Sequence, residues 1–187
     1  MPDDRDDAEA ERIARARAGD REAFDALIAD HSPRLLTLAS RMLGTEGDAQ
    51  NAVQEAWASA WLALDRFDER RSLGPWLATI TVNKCRDFMR RRRVERWLRF
   101  DAPDGVDDVA DAGRDQERQL SDRRMVELVR REIARLPAAL KEPFVLVTFD
   151  ERSQAEAAAI LGLSRKSVES RIYRARSLLR ERLSKWE

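Results

Sequence analysis

From Ala49 to Leu64 the apolar positions recur at helical spacing. Ala49, Ala52, Val53, Ala56, Trp57, Ala60, Trp61 and Leu64 fall on one stripe, with Asn51, Gln54, Glu55 and Ser59 elsewhere on the surface. Similar patterns before and after it predict a chain made of helices. Phe24, Leu27 and Ile28 start one amphipathic helix. Leu35, Leu38, Ala39 and Met42 carry a second, after a break expected at Ser32-Pro33, and Gly44 ends it. The loop DRFDERRSLG then leads to Pro75, a natural first-turn residue. The next helix begins near Trp76 and runs through Leu77, Ile80, Asn83, Lys84, Asp87, Phe88 and Arg91. Farther on, Met125, Leu128, Val129, Ile133 and Leu136 predict a helix stopped at Pro137. Phe144–Phe149 is the one short β-like run, and it sits inside a longer helical pattern.

The segment from Ser153 reads SQAEAAAILGLSRKSVESRIYRARSLLRERL, the pattern of a helix-turn-helix with a basic second helix. Gln154 opens the first helix, and Ala158 sits where two helices must approach closely. Gly162 falls at the turn, where a positive φ is expected and glycine has no Cβ to clash. Leu163 plugs the core and Ser164 caps the second helix. That helix buries Val168, Ile172, Ala175 and Leu179. Arg165, Lys166, Ser170, Arg171 and Arg174 then lie off the apolar stripe, free to meet DNA.

Charge changes the picture further. Lys and Arg number 35 and so do Asp and Glu, yet the balance is segregated along the chain. Cys85–Arg99 holds seven Arg against Asp87 and Glu95, and Ser164–Glu187 holds eight Arg or Lys against three Glu. Each segment carries a net charge of +5, whereas Asp101–Glu117 between them carries −6. Two basic helices with an acidic spacer suggest two contacts on one polyanion. The spacer, DAPDGVDDVADAGRDQE, has almost no large apolar residue and reads as a linker.

The expected fold is therefore all-α: two small helical domains joined by an acidic flexible linker, the C-terminal one a four-helix domain with the helix-turn-helix. Residues 1–18 read as an acidic tail, 19–98 as the first domain, 99–120 as the linker and 121–187 as the second domain. The mutual orientation of two such domains is expected to vary unless a partner fixes it. No run of apolar residues is long enough for a membrane span, and the acidic start MPDDRDDAEAER is no secretory signal. The expectation is no membrane insertion and a cytoplasmic location. The single cysteine, Cys85, allows no internal disulfide. With one histidine, His31, which reads as a surface or capping residue, and no Gly-rich phosphate loop or metal-ligand cluster, an enzyme is disfavoured and no cofactor is expected.

The phrases GDREAFDALIADH, LGTEGDAQNAVQEAWASAWLAL, RFDERRSLGPWLATITVNKCRDFMRRRR and LPAALKEPFVLVTFDERS, followed by the helix-turn-helix ending in SVESRIYRARSLLRERL, resemble an extracytoplasmic-function (ECF) RNA polymerase sigma factor of the minimal two-domain type. The resemblance spans about Gly19–Arg93 and Ser121–Leu183, and the order and separation of the phrases match the family. It implies a sigma-2-like domain that docks on core polymerase and recognises the promoter −10 element, and a sigma-4-like domain that reads the −35 element. Asn51, Gln54 and Glu55 match the positions that dock on the β′ clamp coiled coil. Arg66, Phe67 and Asp68 would surround a flipped −10 base, with Asn83 and Lys84 facing DNA and Arg86 and Arg90 on phosphates. Arg165, Lys166, Ser170, Arg171 and Arg174 would contact the −35 element. The implied partners are core polymerase, through the β′ clamp and the β flap, promoter DNA and an anti-sigma factor. The physics agrees with these roles, because unpaired bases need pockets or stacking partners while phosphates need cations. A conventional helix-turn-helix repressor or activator is the alternative, but it leaves the N-terminal aromatic-basic helix unexplained. Some positions depart from the family. Asn51 stands where many members have Asp, and Ser164 and Lys166-Ser167-Val168 replace the usual Pro and Gly-Thr-Val. Glu169 is a carboxylate at a position often basic or polar, so the resemblance implies the DNA-binding role but not which promoter sequence is read.

Overall fold

A computed structural model describes residues 4–99 and 117–184, with side chains described for 7–95 and 125–184. The described residues form eight α-helices: α1 Asp4–Arg17, α2 Arg21–Leu43, α3 Glu46–Ala63, α4 Leu73–Arg99, α5 Glu117–Ala134, α6 Ala138–Thr148, α7 Gln154–Leu161 and α8 Arg165–Leu183. A 3-10 turn, Leu64–Arg66, follows α3. The all-α expectation holds, and α5–α8 are the four helices of the C-terminal group. Most of the expected linker lies outside the described residues. Its margins do not: Arg99 still belongs to α4, and α5 already begins at Glu117.

Residues 4–17, expected as a tail, are instead the packed helix α1. Ile13 and Ala16 give it a buried stripe against α2. Asp20 caps α2 by accepting from the Ala23 amide at 3.2 Å. The break expected at Pro33 is also absent, since α2 runs unbroken from Arg21 to Leu43. Proline removes one helical donor, but the buried stripe continues in phase across it. Phe24 and Leu35, eleven residues apart, fall within about 20° on the helical wheel, and both are buried. Packing of a continuous apolar face outweighs one lost hydrogen bond. Trp57 anchors α3 beside this point, donating Nε1–H to Ser32 Oγ at 3.0 Å. Phe24 lies edge-on to Trp57 and Trp61, with ring centroids 5.5 and 4.7 Å away. Trp61, expected in the stripe, stands at its margin and is 37% exposed.

The two helical groups are docked against each other, not independently oriented. Arg34 of α2 reaches Asp150 after α6, Nε to Oδ1 at 2.5 Å, and also donates to the Asp150 carbonyl. Arg86 of α4 makes a bidentate pair with Glu142 of α6 at 2.8 and 2.6 Å. Lys141 Nζ donates to the Met42 carbonyl, in the last turn of α2, at 3.0 Å. A cation at that helix end also meets the negative pole of the backbone dipoles. Gly44, the left-handed cap of α2 at φ 82, lies against the end of α5; a Cβ there would sit 3.1 Å from Ala134 Cβ. The docked groups share one buried apolar cluster, with Leu43, Val82 and Cys85 on one side and Phe144, Val145 and Leu146 on the other. Lys141 and Glu142 are 5% and 6% exposed, so each needs a partner from the other group.

That burial has a pH consequence. Desolvation pushes the Lys141 ammonium down from 10.5 to about 8. Between those values the unfolded chain keeps a proton that the folded chain releases. Stability therefore rises with pH across that window, and below about 8 the folded state bears the full cost of the buried charge. Relative to Lys141→Met, the wild-type unfolding free energy should gain on the order of 1–3 kcal/mol from pH 8 to pH 10. Parallel urea-unfolding profiles for the two proteins across this range would exclude the effect. Cys85, buried beneath the same pair, has its thiol pushed up to about 12 by burial, so it stays a protonated packing group.

Candidate nucleic-acid interface

The helix-turn-helix forms as its local sequence dictates. Ser153 and Glu156 make a reciprocal capping box at the start of α7. Gly162 ends α7 in the left-handed region at φ 66, which a side chain would resist. Ser164 Oγ accepts from the Ser167 amide at 3.2 Å and starts α8. Val168, Ile172, Ala175 and Leu179 are all buried. The opposite face exposes Arg165, Lys166, Ser170 and Arg174, with Arg174 bonded to Ser170 through Oγ at 3.3 Å. Arg171 differs from these. It is half-buried and donates to the Ala139 carbonyl at 3.5 Å. That carbonyl lies four residues before Pro143, inside α6, and proline cannot supply its usual donor. Arg171 is thus turned partly toward its own domain. Tyr173, absent from the sequence-derived set, is 75% exposed on this face. Its position off the Val168–Leu179 stripe was the available signal.

The second surface comprises the loop after α3 and the exposed side of α4. Arg66 and Asp68 are exposed, and Asp68 Oδ1 accepts from the Arg70 amide at 3.2 Å. Phe67 is not presented with them. The residue is 4% exposed, and its ring packs on Trp76 with centroids 4.9 Å apart. A base cannot stack on a covered ring, so the expected Phe67 contact is corrected to a packing role beneath the loop. Burying such a ring is worth about 1.5–3 kcal/mol, which explains why the loop folds over it. On α4, Asn83 and Arg90 are exposed, while Lys84 and Arg86 are half-buried. These side chains are held in pairs. Asn83 Oδ1 accepts from Arg86 at 3.1 Å, and Arg90 pairs with Asp87 at 2.8 Å. The hydrogen bonds that Arg86 donates to the Glu142 carboxylate favour its charged form further.

The third surface is α3. Asn51 and Gln54 are exposed and Glu55 is half-exposed, all opposite the buried stripe. Glu55 is not free: Arg91 lies 3.2 Å from it and Lys84 3.9 Å. Asp48 on the same helix pairs with Arg92 at 2.5 Å. The expected polymerase face and the expected DNA face therefore share ion pairs along the α3–α4 seam.

Two family models cover these surfaces. Sigma-70 region 2 matches residues 27–95, and Sigma-70 region 4 matches residues 127–179. The RNA polymerase sigma factor NccH of Alcaligenes xylosoxydans xylosoxydans is 40% identical over 88% of this chain and 89% of its own. The chain belongs to the ECF sigma factors of the sigma-70 family. The sigma factor CnrH of Cupriavidus metallidurans is 38% identical over 93% of each chain. A solved complex of CnrH with the cytosolic domain of CnrY has a TM-score of 0.69 to this sigma factor, at 34% identity and covering 95% of this chain and 97% of that one. RpoE of Bartonella quintana, solved with the anti-sigma factor NepR, gives a TM-score of 0.70 at 25% identity, over 86% of this chain and 96% of that one.

Sequence reasoning about this sigma factor missed its buried charges. Asp150, Arg152, Lys141, Glu142 and Glu132 are all nearly covered. Hydropathy alone assigns such residues to the surface, and only their partners on other helices bring them inside. Arg17 was missed for the same reason. Among the described residues no helix is long and apolar enough to cross a membrane, and no cluster of His, Cys, Asp and Glu could hold a metal.

Proposed function

We propose that this sigma factor divides promoter recognition among its three surfaces. The exposed polar face of α3, with Asn51, Gln54 and Glu55, docks on the β′ clamp of core polymerase, and the C-terminal group meets the β flap. Arg165, Lys166, Ser170, Arg171 and Arg174 of α8 read the −35 element. Arg66 and Asp68 in the loop, with Asn83, Lys84, Arg86 and Arg90 on α4, receive the melted −10 strand over a floor of Phe67 and Trp76. The observation that carries this reading is α8, whose buried stripe leaves Arg165, Lys166, Ser170 and Arg174 exposed on the outward face. A regulator acting through its helix-turn-helix alone would leave the region 2 match unexplained.

An anti-sigma factor is proposed as a further partner, because the NepR complex shows such a protein bound to a relative of the same fold. The sigma factor is read as cytoplasmic and non-catalytic, in keeping with its family. In the docked arrangement Arg86 is committed to Glu142. Engaging a promoter phosphate with Arg86 requires that pair to exchange, so DNA binding and docking of the two groups compete.

Run-off transcription with purified core polymerase and a pool of genomic fragments tests the function directly. In a direct binding titration with core polymerase, a double change, Gln54→Lys with Glu55→Lys, should lower affinity at least about tenfold by reversing the charge this face offers. The helix should survive, since exposed ion pairs such as those of Glu55 contribute only about 0–1 kcal/mol. A preserved circular dichroism spectrum with unchanged polymerase affinity would remove α3 from the docking surface.

A further inference from the structure

Arg17, the last residue of α1, reaches across the molecule to the loop after α3. Its Nε donates to the Leu64 carbonyl at 3.0 Å, and its two terminal nitrogens donate to the Phe67 carbonyl and the Glu69 carboxylate. The Leu64 carbonyl already accepts from the Phe67 amide at 3.0 Å, closing the 3-10 turn, and Arg17 adds a second donor there. The Phe67 carbonyl lies past the end of that turn, where the helical ladder has run out, and takes its donor from Arg17. A planar guanidinium can serve three acceptors in fixed directions, which an ammonium cannot do as rigidly. The Arg17 side chain is only 24% exposed, so water competes weakly for the contact.

The anchor is itself held in place. Ile13 and Ala16 are buried. Arg12 pairs with Asp30, and His31 Nε2 lies 2.8 Å from Glu9, tying α1 to α2. The loop is consequently fixed from two sides. The Phe67 ring is clamped on Trp76 while its carbonyl is clamped on Arg17. Downstream, the Arg71 amide closes a turn on the Asp68 carbonyl at 2.9 Å. The outward polar side chains include Arg66, Asp68, Arg70 and Arg71, with Asp65 and Glu69 exposed beside them. The helix doing this lies before residue 27, outside both segments matched by the family models.

We propose that Arg17 is a positioning residue for promoter opening: α1 holds the 66–71 loop in the shape that receives an unpaired promoter base. This rests on the reading that the loop meets the −10 strand. A loop ordered in advance does not have to be ordered at the expense of binding.

Holoenzyme carrying Arg17→Ala should open a duplex promoter about tenfold to a hundredfold less well, as expected when a contact group is misplaced. Opening is read from 2-aminopurine fluorescence in the −10 segment. Core-polymerase affinity and binding to −35 duplex should stay at wild type. Arg17→Lys keeps the charge and the stem but not the fork, and it should restore opening only in part. It also carries the test if the alanine variant does not fold. Wild-type opening by the lysine variant overturns the proposal, as does an equal loss of opening, polymerase binding and −35 binding in either variant. Arg66→Ala and Asp68→Ala separate the two ideas. If they impair opening while the Arg17 variants do not, the loop assignment stands and the Arg17 role falls. If none of the four impairs opening, both fall.

Discussion

Asp150→Ala is expected to lower the unfolding free energy by about 3–5 kcal/mol, the cost of removing one partner from a buried charge pair. The Asp150 side chain is 2% exposed and receives Arg152 at 2.7 Å and Arg34 at 2.5 Å. Arg152 is itself 8% exposed, and among the described residues it would keep only Glu156, at 3.4 Å, once Asp150 is gone. A covered guanidinium with one long contact is the source of the cost. Arg34→Ala makes the contrast. Arg34 is 49% exposed, and its loss leaves Asp150 still paired with Arg152. That change should cost no more than about 1 kcal/mol of stability while loosening the dock between the helical groups. Urea unfolding followed by tryptophan fluorescence measures both. Equal, small losses would show that the cluster is not a structural centre.

Substitutions on the two DNA surfaces should separate cleanly on a pre-melted template. Arg174→Ala should weaken −35 recognition by about 1–3 kcal/mol if it makes a bidentate base contact. Arg171→Ala should do the same and also cost a little stability, because Arg171 helps satisfy the Ala139 carbonyl. Asn83→Ala and Arg66→Ala should instead impair opening. A bubble at −10 removes the energy of unpairing but not that of holding the displaced strand. The −35 variants should keep their whole defect on the bubble, and the −10 variants should recover partly. If Arg174→Ala binds −35 duplex as wild type does, α8 is not the reading helix. Phe67→Ala belongs to neither class. Its ring is buried, so its first effect should be a loss of about 3–5 kcal/mol in stability, the range for emptying an aromatic core site.

The helix-turn-helix was legible in the sequence almost residue by residue. Ser153, Gly162 and Ser164 act on their immediate backbone, and the Val168–Leu179 stripe has one solution at 3.6 residues per turn. The helices around Trp57 and Leu77 were equally plain. Pro33 misled because a local rule was weighed without the stripe that runs through it. The helical character of residues 4–17 was hidden by their charge: Ile13 and Ala16 are a narrow apolar stripe among acids and arginines. Phe67 misled in another way. An aromatic in a basic loop has the composition of a stacking site, and only the position of Trp76 shows that the ring faces inward.

The sequence by itself determined the class of the fold, the helices with strong stripes, their caps and the basic face of α8. These depend on contacts within a few residues, where spacing specifies geometry. Only the tertiary structure decided which charges became buried pairs, that the two helical groups dock, and that Arg17 holds the loop. Asp150 meets Arg34 across 116 positions, Arg86 meets Glu142 across 56 and Arg17 meets Phe67 across 50. A charged side chain looks the same in sequence whether it ends in water or on a partner. Its fate is settled by which helix ends the packed core brings within hydrogen-bond reach.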